Sequence, residues 1–311
     1  MNFGIVDFKL HLCLNPLKFV FNVTGVYIMK LSIIIPTCDR PHLLKRAVTS
    51  ALNNGGKGCE VIVVDDGLAK SASSLSFGGD IRVITTSGRT GASAARNLGA
   101  HHATGEYILF LDDDDVFQYD YVTDILKHIS STDHKVGACN TSNKTFVTSN
   151  TIITKSKKLK HALFGAGMRF WIERELFLHL GGFDEELTID EDTDFYVRIR
   201  ANAMPIFVSA SVGVSISPDV KAEEQSGRLT RSNEAKKIAE SYAKTANKHL
   251  SNPNLSFWDK WFLISRSARK VARVQRANLD MELAQDHPLW ALIHRAIVFT
   301  KQKFGRKREM T

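Results

Sequence analysis

The chain has 311 residues, room for one large domain with an appendage or for two modest domains. Its 43% hydrophobic and 24% charged residues exclude a disordered chain, a collagen and a coiled-coil rod. No uncharged apolar run approaches the roughly 18–20 residues of a spanning helix, which excludes a polytopic membrane protein. The net charge of +8 is lopsided: residues 256–311 hold 12 Lys and Arg against 5 Asp and Glu, leaving 29 against 28 for the rest. A neutral body argues against a nucleic-acid partner, and a basic tail with aromatics suits an anionic membrane surface. Cys13, Cys38, Cys59 and Cys139 lie far apart without a CxxC pair, so a disulfide scaffold or structural zinc site is not expected and a reducing compartment is.

Residues 1–28 are apolar in patches but lack the basic start, long apolar run and cleavage site of a signal peptide. Met29 directly precedes a strong strand signal. It is read as the natural start, with residues 1–29 a leader or upstream extension; an extra edge strand or helix is the alternative. Leu31–Ile35 is a continuous apolar run ended by Pro36, hence a buried strand. Pro41–Leu52 has helical apolar spacing, with proline fitting the first turn. Glu60–Val64 and Ile81–Ile84 read as further strands, Ala92–His102 as a small-residue helix, and Tyr107–Leu111 as a strand running into four aspartates. Continuously apolar strands alternating with helices define an α/β fold, with a mainly parallel sheet covered on both faces. Ligands collect at the carboxyl ends of such strands. Here those ends read Pro36-Thr37-Cys38-Asp39-Arg40, Asp65-Asp66-Gly67 and Asp112-Asp113-Asp114-Asp115.

Clustered carboxylates repel unless a cation joins them, and hard oxygen ligands suit Mg²⁺ or Mn²⁺ completed by a diphosphate. A metal–diphosphate site is therefore the sharper reading of Asp112–Asp115, and a solvated acidic turn the blander one. Neither GxxxxGK[ST] nor a GxGxxG after a strand is present, so no glycine cradle competes for the phosphates. A second polar group, Gly181-Gly182-Phe183-Asp184-Glu185, is followed by a helical stretch from Glu191 that sets Phe195 and Ile199 on one face. Asp192 stands beside that face. The local sequence leaves open whether it is a general base or a capping acid at the helix start.

Ser32-Ile33-Ile34-Ile35-Pro36-Thr37, Val63-Val64-Asp65-Asp66-Gly67, Ala94-Ala95-Arg96-Asn97-Leu98-Gly99, the aspartate run, the GGFDE segment and Glu191-Asp192 together resemble glycosyltransferase family 2, over roughly Lys30 to Ser217. The resemblance implies the GT-A fold, a nucleotide-sugar donor (most often a UDP-sugar), inverting transfer, and Mn²⁺ or Mg²⁺. It implies that Pro36, Thr37 and Arg40 line the nucleoside pocket and that Asp65 and Asp66 meet the uracil or ribose. Arg96 and Asn97 would lie near the donor. The DxD motif would fall on Asp112-Asp113-Asp114, with Asp114 the metal ligand and Asp112 and Asp113 on the nucleotide-sugar. Asp192 would be the base, with Glu191 beside it. The family's Tyr-Asn after the Pro-Thr pair is here Cys38-Asp39, and its SxxD after the DDG turn is absent.

Beyond Ser217 the text turns helical: Arg231–Leu250, Phe257–Ala277 and Pro288–Lys303. In the middle helix Phe257, Trp261, Ile264, Ala268 and Val271 form one face, with Arg266, Arg269, Lys270 and Arg273 around the other. Such a helix lies on an anionic bilayer, or docks on the catalytic domain with its basic face in water. The expected organisation is a leader (1–29), a GT-A catalytic domain (30–218) and a helical basic region (219–311). The expected function is transfer of a sugar to a hydroxyl of a glycan or lipid-linked acceptor in surface polysaccharide assembly, at the cytoplasmic face of the membrane through 256–311. The alternatives are a non-catalytic nucleotide-sugar-binding module, which the acids at Asp114 and Asp192 speak against, and a sugar nucleotidyltransferase. The latter wants a glycine-rich GxGxR-type loop where this chain has Pro36–Arg40.

Overall fold

β1 (Leu31–Thr37) is buried along its whole length because both its faces are covered. Ile34 enters one apolar layer, and Ile33 and Ile35 enter the other. This computed structural model describes residues 31–55, 58–69, 71–79, 81–157, 169–216 and 235–276. The leader at 1–29 and the helix expected over Pro288–Lys303 lie outside them.

β1 pairs in parallel with β2 (Cys59–Asp65) and β4 (Tyr107–Phe110), and β2 in parallel with β3 (Arg82–Thr85). The remaining strands are β5 (Val116–Phe117), β6 (Val136–Thr141), β7 (Thr151–Ile153), β8 (Phe170–Glu173) and β9 (Ile206–Ser215). The sheet order is β3-β2-β1-β4-β8-β6-β9-β5, with β7 on β9. β8 runs antiparallel to β4 and β6, while β9 is parallel to β6. From β1 the chain builds outward to β2 and β3, then returns to place β4 on the other flank. The gap between the carboxyl ends of β1 and β4 is thus a topological switch point, where open α/β sheets take ligands.

α1 (Pro41–Gly55) and α3 (Tyr121–Ser131) cover one face through Leu44, Val48, Val122 and Ile125. The other face receives α2 (Ala92–His102), α4 (Arg174–His179) and α5 (Glu191–Ala201). α2 comes very close: a Cβ on Gly99 would stand 2.5 Å from Ile34 Cγ2 and 3.1 Å from Val64 Cγ2, so the position accepts no side chain. Phe110, Phe170, Phe177, Phe183 and Phe195 form a continuous cluster with ring centroids 5.0–6.2 Å apart. It locks the end of β4 to the start of α5, and edge and tilted contacts of this kind add to the area they bury.

α6 (Ala235–Leu250) and α7 (Phe257–Arg276) pack on that same layer through Ala246, Leu263 and Ala268. The buried side of α7 is not the face expected from spacing. Ala268 and Val271 are buried as expected, but Asp259, Leu263 and Ser267 join them, while Phe257 and Trp261 are 69% and 41% exposed. The rotation has a charged cause: Asp259 turns inward to a bidentate pair with Arg200 of α5, at 3.0 and 3.3 Å from Nη2. Among the described residues no helix is long and apolar enough to cross a membrane.

Candidate active site

Four segments meet at the switch point. After β4 the chain turns through Asp112–Asp115, closed by the Asp115 N–H donating to the Asp112 carbonyl at 3.1 Å. The turn sorts the carboxylates. Asp112, Asp114 and Asp115 offer oxygens within 4.8 Å of one another. Asp113 instead turns down into the protein, where it is 1% exposed. There it accepts from Thr37 Oγ1 at 2.7 Å and lies 2.5 Å from Arg40 Nη2. Burial raises its pKa to about 7; Arg40 and Thr37 oppose the rise, and Asp114 and Asp112 add to it. Arg40 also reaches Asp114 at 3.7 Å. Thr37 and Arg40 therefore anchor the aspartate turn, and Pro36 is buried in β1 beneath them.

Asp65 and Asp66 shape the neighbouring loop. Asp65 accepts from the N–H groups of Gly67 and Ala72, each at 2.9 Å. Asp66 accepts from Thr90 N–H at 2.8 Å, Gly91 N–H at 2.9 Å and the hydroxyls of Thr90 and Thr86. Burial alone would raise its pKa; those four donors outweigh it and hold the carboxyl below its usual range.

Arg96 is the link between the two acidic groups. The Gly99 contact presses α2 onto the sheet, which leaves Arg96 almost fully buried. Its Nη2 lies 2.6 Å from Asp112 Oδ1 and its Nη1 3.1 Å from Glu191 Oε1. One guanidinium thus bridges the end of β4 and the first residue of α5, a geometry that suits two carboxylates at fixed separation. Burial pushes the Glu191 carboxyl up, with Arg96 opposing and Asp192 adding. Asp192 is half-buried and accepts from Thr193 N–H at 2.6 Å. It has no ion-pair partner among the described residues. Asn97, next to Arg96, faces the other way. Its amide donates to the Phe183 carbonyl and to Glu185, and its carbonyl accepts from Phe183 N–H at 2.8 Å, which fixes the GGFDE turn. A cleft of about 850 Å³ opens on that flank of α2, bordered by Thr86, Asn97, His101, Glu185 and Lys248, and no carboxylate of the switch point lines it.

Two contributors are not singled out by the sequence. Asp190, in left-handed conformation (φ 77°) ahead of α5, is paired with Arg266 of α7 at 2.5 Å. Asp194 is paired with Arg198, Lys248 and His249. Their partners lie far along the chain, Arg266 76 residues after Asp190 and His249 55 after Asp194.

A mainly parallel sheet with carboxylates gathered at its switch point, bridged by a buried arginine to a second acidic pair, is the arrangement of a ligand-binding open α/β domain. Comparison with known proteins agrees. The family model described as Glycosyl transferase family 2 matches residues 32–180. A glycosyltransferase of Haemophilus influenzae without an assigned reaction is 30% identical over 181 residues, covering 54% of this chain and 61% of its own. A Campylobacter jejuni protein named GalNAc(5)-diNAcBac-PP-undecaprenol beta-1,3-glucosyltransferase is 36% identical over 92 residues, covering 28% of this chain and 30% of its own. The crystal structure of S. aureus TarS 1-349 in complex with UDP-GlcNAc superposes with a TM-score of 0.59 at 19% identity, covering 79% of this chain and 72% of that one. The matched segment, residues 32–180, is a GT-A domain of glycosyltransferase family 2. It spans about three fifths of the H. influenzae relative's length.

Proposed function

We propose that the chain is an inverting, metal-dependent glycosyltransferase that takes a UDP-sugar and delivers the sugar to a hydroxyl of a glycan or lipid-linked acceptor. The Arg96 bridge between Asp112 and Glu191 carries this reading, because it sets a diphosphate-type site and a proton acceptor side by side. Asp112, Asp114 and Asp115 are an all-oxygen set that fits Mn²⁺ or Mg²⁺. When bound there, the ion offsets charge on the leaving diphosphate. Asp192 takes the proton of the acceptor hydroxyl as that oxygen attacks the anomeric carbon from the face opposite the diphosphate. A single displacement inverts the centre. Glu191, committed to Arg96, keeps the arginine oriented and leaves the base role to its neighbour. Thr37 and Arg40 hold the aspartate turn open toward the nucleotide through Asp113.

The UDP preference draws on the UDP-GlcNAc complex of TarS, and a lipid-linked acceptor on the name of the C. jejuni relative. A cytoplasmic, membrane-peripheral setting draws on the charge surplus of residues 256–311 and on Phe257, Trp258 and Trp261, which stand 69%, 72% and 41% exposed at the head of α7. A panel of nucleotide-sugars with and without Mn²⁺, read by thermal stabilisation, tests the assignment. UDP and one or more UDP-sugars should raise the melting temperature only with metal present. No stabilisation by any UDP compound would sink the reading.

A further inference from the structure

We infer that Arg266 and Tyr242, on the two C-terminal helices, are positioning residues for the Glu191–Asp192 pair, so that residues 235–276 complete the active site. The inference rests on the transferase reading above.

The first turn of α5 is held at both ends by the tail. At its head, Arg266 Nη1 lies 2.5 Å from Asp190 Oδ1, and Arg266 Nη2 donates to the Tyr242 hydroxyl at 3.2 Å. The guanidinium stacks 4.1 Å from the centre of the Tyr242 ring, and Lys270 Nζ stands 4.8 Å from it. One turn on, the buried Asp194 carboxylate meets His249 Nε2 at 2.8 Å and Lys248 Nζ at 3.0 Å. Glu191 and Asp192 lie between these two clamps. Asp190 sits left-handed, a conformation an aspartate keeps only when its surroundings impose it. Its carbonyl accepts the first bond of the helix, from Asp194 N–H at 3.0 Å. The ion pair with Arg266 therefore fixes the direction in which α5 leaves the loop, and with it where the acids at 191 and 192 point.

The same pair stands among charges from four segments. Asp190 precedes α5, which carries Glu191, Asp192, Asp194 and Arg198; α2 contributes Arg96, α6 contributes Tyr242, Lys248 and His249, and α7 contributes Arg266 and Lys270. Tyr242 is close enough to respond: burial pushes its hydroxyl pKa up, Arg266 opposes, and Asp190 and Asp192 both add to the rise. Asp190, Glu191 and Asp192 thus share two nearby arginines, one on each side. Without Arg266 the buried Asp190 carboxyl loses its partner and the Tyr242 hydroxyl its donor, so the loop ahead of α5 is no longer held in one direction.

The test uses the full chain with Mn²⁺ and either UDP-GlcNAc or UDP-glucose, with water as acceptor, following UDP release. Arg266→Gln should lower kcat by about ten- to a hundred-fold, the scale of a small misplacement of reacting groups. KM for the UDP-sugar and Mn²⁺-dependent UDP affinity should stay within about threefold, since the donor side is untouched. Arg266→Lys should restore part of kcat, because the charge returns but lysine lacks the fork that holds acid and phenol together. Tyr242→Phe should lower kcat by less than Arg266→Gln, with KM unchanged. Wild-type kcat in Arg266→Gln overturns the inference. So does a loss of activity that merely tracks a lower melting temperature and is not rescued by lysine. A wild-type chain that neither binds UDP nor releases it from either donor overturns the transferase reading instead, a result distinct from a working wild type with an indifferent Arg266→Gln.

Discussion

Asp259→Ala should be among the most damaging single changes outside the acidic centre. The Asp259 carboxylate is 3% exposed and Arg200 6%. Asp259 receives Arg200 Nη2 at 3.0 and 3.3 Å and Nε at 3.4 Å, and also accepts from Ser256 N–H at 3.3 Å in a reciprocal cap with the Ser256 hydroxyl. Truncation leaves a buried guanidinium whose remaining bond is to the Thr154 carbonyl at 3.3 Å. Breaking a buried pair from one side costs about 3–5 kcal/mol, and about 2–4 °C per kcal/mol applies to a domain of this size. A fall of roughly 6–20 °C follows. Replacing both partners with apolar residues, Arg200→Met with Asp259→Leu, should recover most of it, since no charge is then stranded. Thermal denaturation followed by circular dichroism measures all three chains. A drop of under about 3 °C in Asp259→Ala, or a double variant no better than the single, would refute the claim that this pair welds α7 to α5.

Asp114→Asn should abolish Mn²⁺-dependent UDP stabilisation and turnover while the melting temperature without ligand holds, as calorimetric titration and thermal melts would show. Asp192→Asn should cut turnover by about 10²–10⁴-fold with donor affinity within a few-fold; collapse of donor binding would move the base role to Glu191. Gly182→Ala combines a φ of 62° with a Cβ 2.6 Å from Asn97 Oδ1, and should destabilise by about 1–3 kcal/mol in urea titrations. Burial raises the pKa of Asp190 to about 6, with Arg266 opposing. The folded chain therefore holds that proton after the unfolded chain has lost it, and the stability Asp190 contributes below about pH 4 is lost as pH rises to about 6. Wild type should lose stability across that window relative to Asp190→Asn; equal slopes would contradict it.

The strands that frame the switch point are readable as buried apolar runs, although β1 continues through Pro36 to Thr37, two residues past the end expected at Ile35, and the helix Ala92–His102 has the bounds its spacing predicts. The second half of the sheet left a fainter trace. β6 reads Val-Gly-Ala-Cys-Asn-Thr and β9 mixes serines with valines, since their side chains pack against large neighbours such as Trp171 rather than forming runs of their own. Within the candidate site, residue type showed which acids gather but not which way each points. Four identical aspartates carry no sign that Asp113 turns inward to Thr37 and Arg40 while its neighbours converge. The inward turn of Asp259 was equally hidden, because its partner Arg200 is 59 residues away and only folding brings them together.

The Arg96 bridge also bears on how such chains can be recombined. Arg96 lies inside the family-matched segment and Glu191 lies beyond its end at residue 180, 95 positions away along the chain. A chimaera joined at that border would hand a native arginine a foreign acid, and the buried guanidinium would tolerate only donors of the second half that bring a carboxylate to the same place. Exchange after Ala201 keeps arginine and acid together but parts Asp190, Asp194 and Arg200 from the tail residues that answer them. Recombination that preserves these pairs therefore requires α5, α6 and α7 to travel as one block.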